Sequence, residues 1–347
     1  MNLQNAPSPK EINRHETGVS YSSCDLPVPC SSRPFLRWAG GKRWLASSLS
    51  EVIKRRLTSS NGHYIEPFLG SGAIFFSVCP KQSILNDLNR ELMLAYAVLR
   101  DQPHETIKIL KSWPVEKDNY YKIRNWLPDN NIEKACRFIW LNRTCYGGLY
   151  RTNRSGKFNT PYGGGSRVPD SLWTTGTALA CASNLRRGSE LYSGDFESII
   201  DKAKEGDVVF CDPTYSNHSK DHFDRYGASV FSWSDQIRLA HACRRAASRG
   251  ATVVVTNGAY SEIAEIYPDA YRITKRRSVT FGKSHVNGTD REFVFILDPV
   301  RRRKDWSVVG PIENRVRAVR GRIDNDHREM SSIKSHLPSH RSQKVVS

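Results

Sequence analysis

Short apolar runs alternate with longer amphipathic ones from residue 63 to residue 297, and this alternation predicts an α/β sheet covered by helices. Residues 63–68 read as a first strand entering a glycine-containing turn, Ala73–Val78 as the helix after it and Ser83–Asp87 as a second strand. Residues 206–215 form a third run, apolar through Val208-Val209-Phe210-Cys211 and closed by Asp212-Pro213-Thr214-Tyr215. Residues 252–257 supply another strand. Between these two strands, residues 234–249 have the pattern of a crossover helix, with Ser232 or Ser234 placed as N-cap and Gly250 just past its end. A closing hairpin is predicted over residues 271–281 and 292–297, and it carries Arg276 and Arg277.

The rhythm breaks between residues 101 and 190, a stretch rich in Trp, Tyr, Asn and Arg. A helix is predicted at 131–141, followed by Asn142-Arg143-Thr144-Cys145-Tyr146-Gly147-Gly148-Leu149-Tyr150-Arg151-Thr152-Asn153. Aromatics interleaved with Arg and Gly in a turn-rich stretch suit a loop or hairpin that touches bases and backbone together. From the residues alone, an ordinary surface hairpin is the alternative. Residues 1–32 are rich in Ser, Pro and Asn without periodicity and read as a disordered leader. Residues 299–347 open on Arg301-Arg302-Arg303-Lys304 and read as a basic mobile tail, either adding salt-sensitive phosphate contacts or only solubilising the chain. The expected organisation is a catalytic domain built from 33–100 and 191–298, interrupted by a target-recognition insertion at 101–190.

Charge changes this picture from a generic α/β protein to one with a polyanionic partner. The 347 residues carry a formal net charge of +17, and no apolar run approaches a membrane-spanning length, so nucleic acid is favoured over a membrane. No apolar core follows basic residues at the N-terminus, which predicts no secretory signal and a cytoplasmic, DNA-associated location. The 8 cysteines include no Cys-x-x-Cys pair, so buried reduced thiols are expected rather than a zinc site or disulfide framework. No metal and no obligate protein partner are expected.

Gly70-Ser71-Gly72 after a strand lets the backbone approach a cofactor closely, and Asp87 at the end of the next strand is placed to accept hydrogen bonds from ribose hydroxyls. The three-glycine pattern for a pyrophosphate is absent. A nucleoside without phosphates, such as S-adenosylmethionine, therefore fits better than NAD. Gly40-Gly41-Lys42 ends as a phosphate loop does, but Arg43 occupies its required hydroxyl position, which excludes an ATPase. At Asp212-Pro213-Thr214-Tyr215, an acid and a backbone carbonyl can accept both hydrogens of an exocyclic amine. That pulls the nitrogen toward tetrahedral geometry and aims its lone pair at an electrophilic methyl. Tyr215 offers a face for a base taken out of the duplex.

These motifs together resemble the Dam family of DNA adenine-N6 methyltransferases. The likeness extends from about Phe35 to about Leu297 and keeps motif order: the stretch from Phe35 to Lys42, Glu66-Pro67-Phe68-Leu69-Gly70-Ser71-Gly72, Asn86-Asp87-Leu88-Asn89, the stretch from Asn142 to Tyr162, and Asp212 to Tyr215. The resemblance implies a Rossmann-like class I methyltransferase sheet with helices on both faces and an inserted, mostly helical DNA-recognition domain with a hairpin. It implies that Trp38, Lys42, Glu66, Phe68, Gly70, Gly72, Asp87 and Asp212 line an S-adenosylmethionine site. Asp212, Pro213 and Tyr215 would hold a flipped adenine. Arg37, Asn142, Arg143, Tyr146, Leu149, Arg151 and Asn153 would face double-stranded DNA, with Arg276 and Arg277 on the closing hairpin.

Two positions depart from the family pattern. Thr214 stands where a second proline is usual, and Gly147 where an asparagine is usual. The first predicts reduced or normal activity. Leu149 and Arg151 match the GATC-methylating branch, which makes GATC the leading expected target. The rival expectations are a DNA-binding homologue weakened through Thr214 and a methyltransferase acting on RNA or a protein amide.

Overall fold

A computed structural model describes residues 10–11, 32–38, 40–153, 155–165, 168–214, 231–277 and 290–299. Lys10–Glu11 (β1) pairs with the edge of the sheet. Arg43–Ser60 (α1) leads to Tyr64–Glu66 (β2), Ala73–Val78 (α2) and Ser83–Asp87 (β3). A helical stretch follows, with Arg90–Asp101 (α3), Pro103–Ser112 (α4), Lys117–Asn125 (α5), Asn131–Thr144 (α6), Pro169–Leu172 (α7) and Thr175–Arg186 (α8). The chain then alternates again through Ser189–Ser193 (β4), Phe196–Ile200 (α9), Val208–Cys211 (β5), Trp233–Ser248 (α10) and Thr252–Gly258 (β6). Ser261–Glu265 (α11), Tyr271–Arg277 (β7) and Asp290–Leu297 (β8) close the fold.

The strands form one sheet in the order β1-β4-β3-β2-β5-β6-β8-β7. The five strands from β4 to β6 run parallel, while β8 is antiparallel to both β6 and β7. Strand order reverses between β2 and β5, the switch point at which open α/β sheets leave a crevice beyond their strand ends. The pleat divides each buried strand between two cores. Val208 and Phe210 join the cluster under α1, α2, α3, α6 and α8, whereas Val209 and Cys211 join the one under α9 and α10. Helices thus cover both faces, as the sequence pattern predicts. The helices between Pro103 and Arg186 contribute Ile107, Tyr120, Trp140 and Leu185 to the same apolar cluster as the sheet.

Local chemistry explains the element boundaries. Ser232 caps α10 in a reciprocal capping box with Asp235, so the predicted N-cap is the observed one. Asn130 caps α6 by accepting from Glu133 N–H, and α6 continues to Thr144, three residues beyond its predicted end. The described cysteines Cys79, Cys136, Cys145, Cys181, Cys211 and Cys243 are buried and unbridged. Among the described residues no helix is long and apolar enough to cross a membrane.

Asn86 ties three strand ends together. Its buried amide donates to Pro67 O and to Gly194 O, both at 3.0 Å, so the tip of β3 holds the turns leaving β2 and β4. Truncation strands two carbonyls away from water. Asn86→Ala is expected to lower stability by about 2–3 kcal/mol in urea unfolding, and Asn86→Asp, with no amide donor, to do no better. Wild-type stability in either variant would show that the strand tips are held by other contacts.

Candidate active site at the carboxyl ends of the strands

The parallel strands deliver their carboxyl ends to one edge of the sheet, and acids from three of them meet there. Glu66 ends β2, Asp87 ends β3 and Asp212 directly follows β5. Lys42, at the start of α1, reaches into this edge and pairs with Asp212 Oδ1 at 2.9 Å. It also lies 3.7 Å from Glu292 Oε2 on β8, and its Nζ donates to Gly40 O at 3.1 Å. Thr256 on β6 donates its hydroxyl to Asp212 Oδ1 at 2.7 Å. Two acids from different strands thus meet one buried ammonium at this edge. Pro213 is buried and Thr214 is exposed. Tyr215 lies outside the described residues.

Beside this cluster the backbone forms a cradle. Gly70 has φ +48°, and a Cβ there would lie 2.8 Å from Trp38 Cδ1, so the indole rests directly on the glycine backbone. Gly70 N–H donates to Asp87 Oδ2 and Asn89 N–H to Oδ1, both at 2.9 Å. Each Asp87 oxygen retains a lone pair for a further donor. Burial raises the Asp87 carboxyl, and the Asn89 and Gly70 bonds oppose that rise. Gly72 opens α2 in a left-handed conformation, and Tyr96 secures the loop by donating to Gly70 O at 2.8 Å. Phe68 faces Phe196 at 5.3 Å and Phe231 at 5.5 Å between ring centres, making an apolar wall beside the acid.

Glu66 is 2% exposed and accepts the Tyr64 hydroxyl at 2.9 Å. Burial pushes its carboxyl well above the ordinary range; the Tyr64 bond opposes this and neighbouring Asp212 adds to it. Tyr64 is raised in turn by burial and by Glu66.

The stretch after α6 folds back on itself through bridges between Cys145 and Tyr162 and between Thr152 and Phe158. Between its two bridges it presents Tyr146 at 58% and Leu149 at 41% exposure, a pair of apolar side chains that no core claims. Gly147 has φ +64°, a conformation in which glycine is free and asparagine is the best-tolerated substitute, so the departure at this position keeps the turn. Arg151 is exposed and braced by Asn159, with Nε 2.8 Å from Oδ1. Asn153 is also exposed, but its carboxamide oxygen is committed to Ser155 N–H and Lys157 N–H, closing the hairpin end.

Two residues expected to face DNA are placed elsewhere. Asn142 is 3% exposed; it accepts from Arg37 N–H at 2.9 Å and donates to Arg37 O at 2.7 Å. Arg143 donates to Phe35 O and Leu172 O. Both are drawn inward because α6 runs past them, so they hold the segment carrying Arg37 rather than presenting side chains to a duplex. Arg37 itself is exposed. Arg276 and Arg277 lie on β7, and their side chains are outside the described residues.

The family model of D12 class N6 adenine-specific DNA methyltransferases matches residues 38–281. The chain belongs to this family. It is 32% identical over 248 residues to the type II methyltransferase M1.LlaDCHI of Lactococcus lactis subsp. cremoris, covering 68% of this chain and 85% of that one. It is 35% identical over 245 residues to the type II methyltransferase M.MjaIII of Methanocaldococcus jannaschii, covering 65% and 84%. To a DNA adenine methylase of Vibrio cholerae it is 28% identical over 272 residues, covering 76% and 93%.

D12-class methyltransferases depend on S-adenosylmethionine, and the residues present fit it. A close backbone approach at Gly70, an acid with spare lone pairs at Asp87 and an aromatic wall suit a nucleoside. The partly exposed Asp212 carboxyl suits a sulfonium. The same edge also gathers residues that the linear sequence did not single out. Thr256 hid in an apolar strand and Glu292 in the closing hairpin. Phe196 follows Asp195, which Arg238 grips through both oxygens at 2.9 and 2.8 Å while lying over the Phe196 ring; an acid-aromatic pair after a strand was the available signal.

Glu66 generates a pH prediction. Its carboxyl is raised on folding, so the folded methyltransferase keeps that proton to higher pH than the unfolded chain. Stability from this group is therefore lost as pH rises from the unfolded carboxylate range through the raised folded value. Glu66→Gln is expected to flatten that decline in thermal or urea unfolding. An unchanged slope would assign the pH dependence to another group.

Proposed function

We propose that this chain transfers a methyl group from S-adenosylmethionine to adenine N6 within a short duplex sequence, with GATC the leading target, and that it takes the adenine out of the stack to do so. The observation that carries this reading is the position of Asp212: partly exposed at the switch-point edge and paired with the Lys42 ammonium. Bound in the cradle, S-adenosylmethionine supplies a sulfonium-activated methyl. Trp38, Phe68, Gly70, Gly72 and Asp87 would hold its nucleoside and loop-facing parts, with Lys42 and Glu66 shaping the inner wall. Asp212 and the Pro213 carbonyl would accept the two N6 hydrogens, drawing the amine toward tetrahedral geometry with its lone pair toward the cradle. Tyr215 would stack on the extruded base.

Target reading is proposed for the hairpin, which the chain places between α6 and α7 in the 101–190 insertion. Tyr146 and Leu149 are exposed apolar probes, and Arg151 is braced by Asn159 in the manner of a side chain presented to a base edge. Arg37, fixed through its backbone, supplies a further cation on the same side as Gly148, whose position abuts the Arg37 side chain. The basic tail after residue 299 would add phosphate attraction without sequence preference. Thr214 is exposed while Pro213 stays buried and Asp212 keeps its Lys42 pair, which supports an active enzyme.

The test is methyl incorporation from labelled S-adenosylmethionine into unmethylated DNA, followed by mapping of N6-methyladenine. Modified adenines in one short motif are expected, and no incorporation despite DNA binding would establish a silenced homologue. Asp212→Ala is expected to lower the rate by at least about 100-fold with duplex binding kept. Arg151→Ala is expected to lose about 1–3 kcal/mol of discrimination at one guanine, read as the rate ratio between the target and its single-base variants. A uniform loss on all sequences would place Arg151 on the phosphate backbone instead.

A further inference from the structure

A carboxylate offers two equivalent oxygens, and its terminal torsion has broad, nearly two-fold preferences. A catalytic carboxylate that must accept one particular hydrogen therefore needs something to break this symmetry. In this methyltransferase both donors to Asp212 arrive at the same oxygen. Lys42 Nζ lies 2.9 Å from Oδ1, and Thr256 Oγ1 lies 2.7 Å from the same atom. No hydrogen bond reaches Oδ2 among the described residues. The Asp212 side chain is 19% exposed, whereas Thr256 is 0% exposed.

We infer that Thr256 is a positioning residue for Asp212: with Lys42 it saturates Oδ1, fixes the carboxylate plane and leaves Oδ2 as the acceptor for the target amine. The hydroxyl has one proton to give. Its other neighbour, Cys211 O, is 3.4 Å away, so the 2.7 Å contact to Asp212 takes it. The hydroxyl is itself held firmly. Thr256 lies inside β6, paired with Val294 of β8 and one residue past Val255, the last partner of β5, and a β-branched side chain in such a strand has restricted χ1. Lys42 alone would be a weaker guide, because an ammonium on a flexible stem has three rotatable donors and shares them with Gly40 O and Glu292. The rigid hydroxyl supplies direction, and the ammonium supplies charge.

This inference rests on the reading of Asp212 as the residue that holds N6, and the experiment separates the two. Single-turnover methylation and KM for S-adenosylmethionine and DNA are measured on the full chain for wild type, Asp212→Ala, Thr256→Val, Thr256→Ser and Thr256→Ala. Valine keeps the shape and strand preference and removes only the hydroxyl. Serine and alanine both lack the methyl and differ from each other only in the hydroxyl, so they decide the matter even if the valine variant folds poorly. The inference predicts a methylation rate about 10- to 100-fold lower for Val and Ala, with both KM values near wild type, and restoration to near wild type by Ser. Equal rates for Ser and Ala, or a raised KM for S-adenosylmethionine with an unchanged rate, would overturn it while leaving Asp212 in its role if Asp212→Ala is inactive. An active Asp212→Ala would overturn both readings.

Discussion

The arrangement of this active site depends on keeping one ammonium away from water. Lys42 is 2% exposed, and burying a lysine head group is strongly unfavourable unless opposite charge and hydrogen-bond acceptors meet it. Asp212, Glu292 and Gly40 O meet it here. These partners come from the turn after β5, from β8 and from the segment before α1, so satisfying Lys42 pins three separated parts of the chain to one point. The position of the proposed amine acceptor follows from that electrostatic requirement.

The same segment joins the cofactor cradle to the hairpin. Trp38 lies on Gly70 on one side and stacks on Tyr150 on the other, with ring centres 6.0 Å apart. Tyr150 is tied by its hydroxyl to Glu91 on α3. One residue earlier, both backbone polar groups of Arg37 are taken by Asn142 of α6. The hairpin is therefore mounted on a buried helix and on the cradle's own tryptophan, a rigid support of the kind that precise recognition loops require.

Much of this was legible in the sequence because the signals were local. The apolar run ending at Asp212, the glycine turn before α2, the acid ending β3 and the Ser232 capping box each follow from neighbours a few residues apart. The unread parts depend on partners far along the chain. Thr256 looked like an ordinary strand threonine, because its hydroxyl finds Asp212 only once β5 and β6 pair. Glu292 was not singled out, because its partner Lys42 lies 250 residues earlier in the sequence. Asn142 and Arg143 were assigned to a duplex by the resemblance, with the helix before them expected to end at 141. Its continuation to Thr144 turns Asn142 inward onto Arg37 and sends Arg143 to two backbone carbonyls.

The central claim is that Asp212 presents one oxygen to a flipped adenine at the mouth of the cradle. A crystal structure of the chain with a target duplex and a cofactor analogue that cannot transfer its methyl tests this most directly. The account predicts the adenine outside the duplex, with N6 within about 3.2 Å of Asp212 Oδ2 while Lys42 and Thr256 remain on Oδ1. An adenine still stacked in the helix, or N6 bound away from Asp212 with the cradle filled, would contradict it.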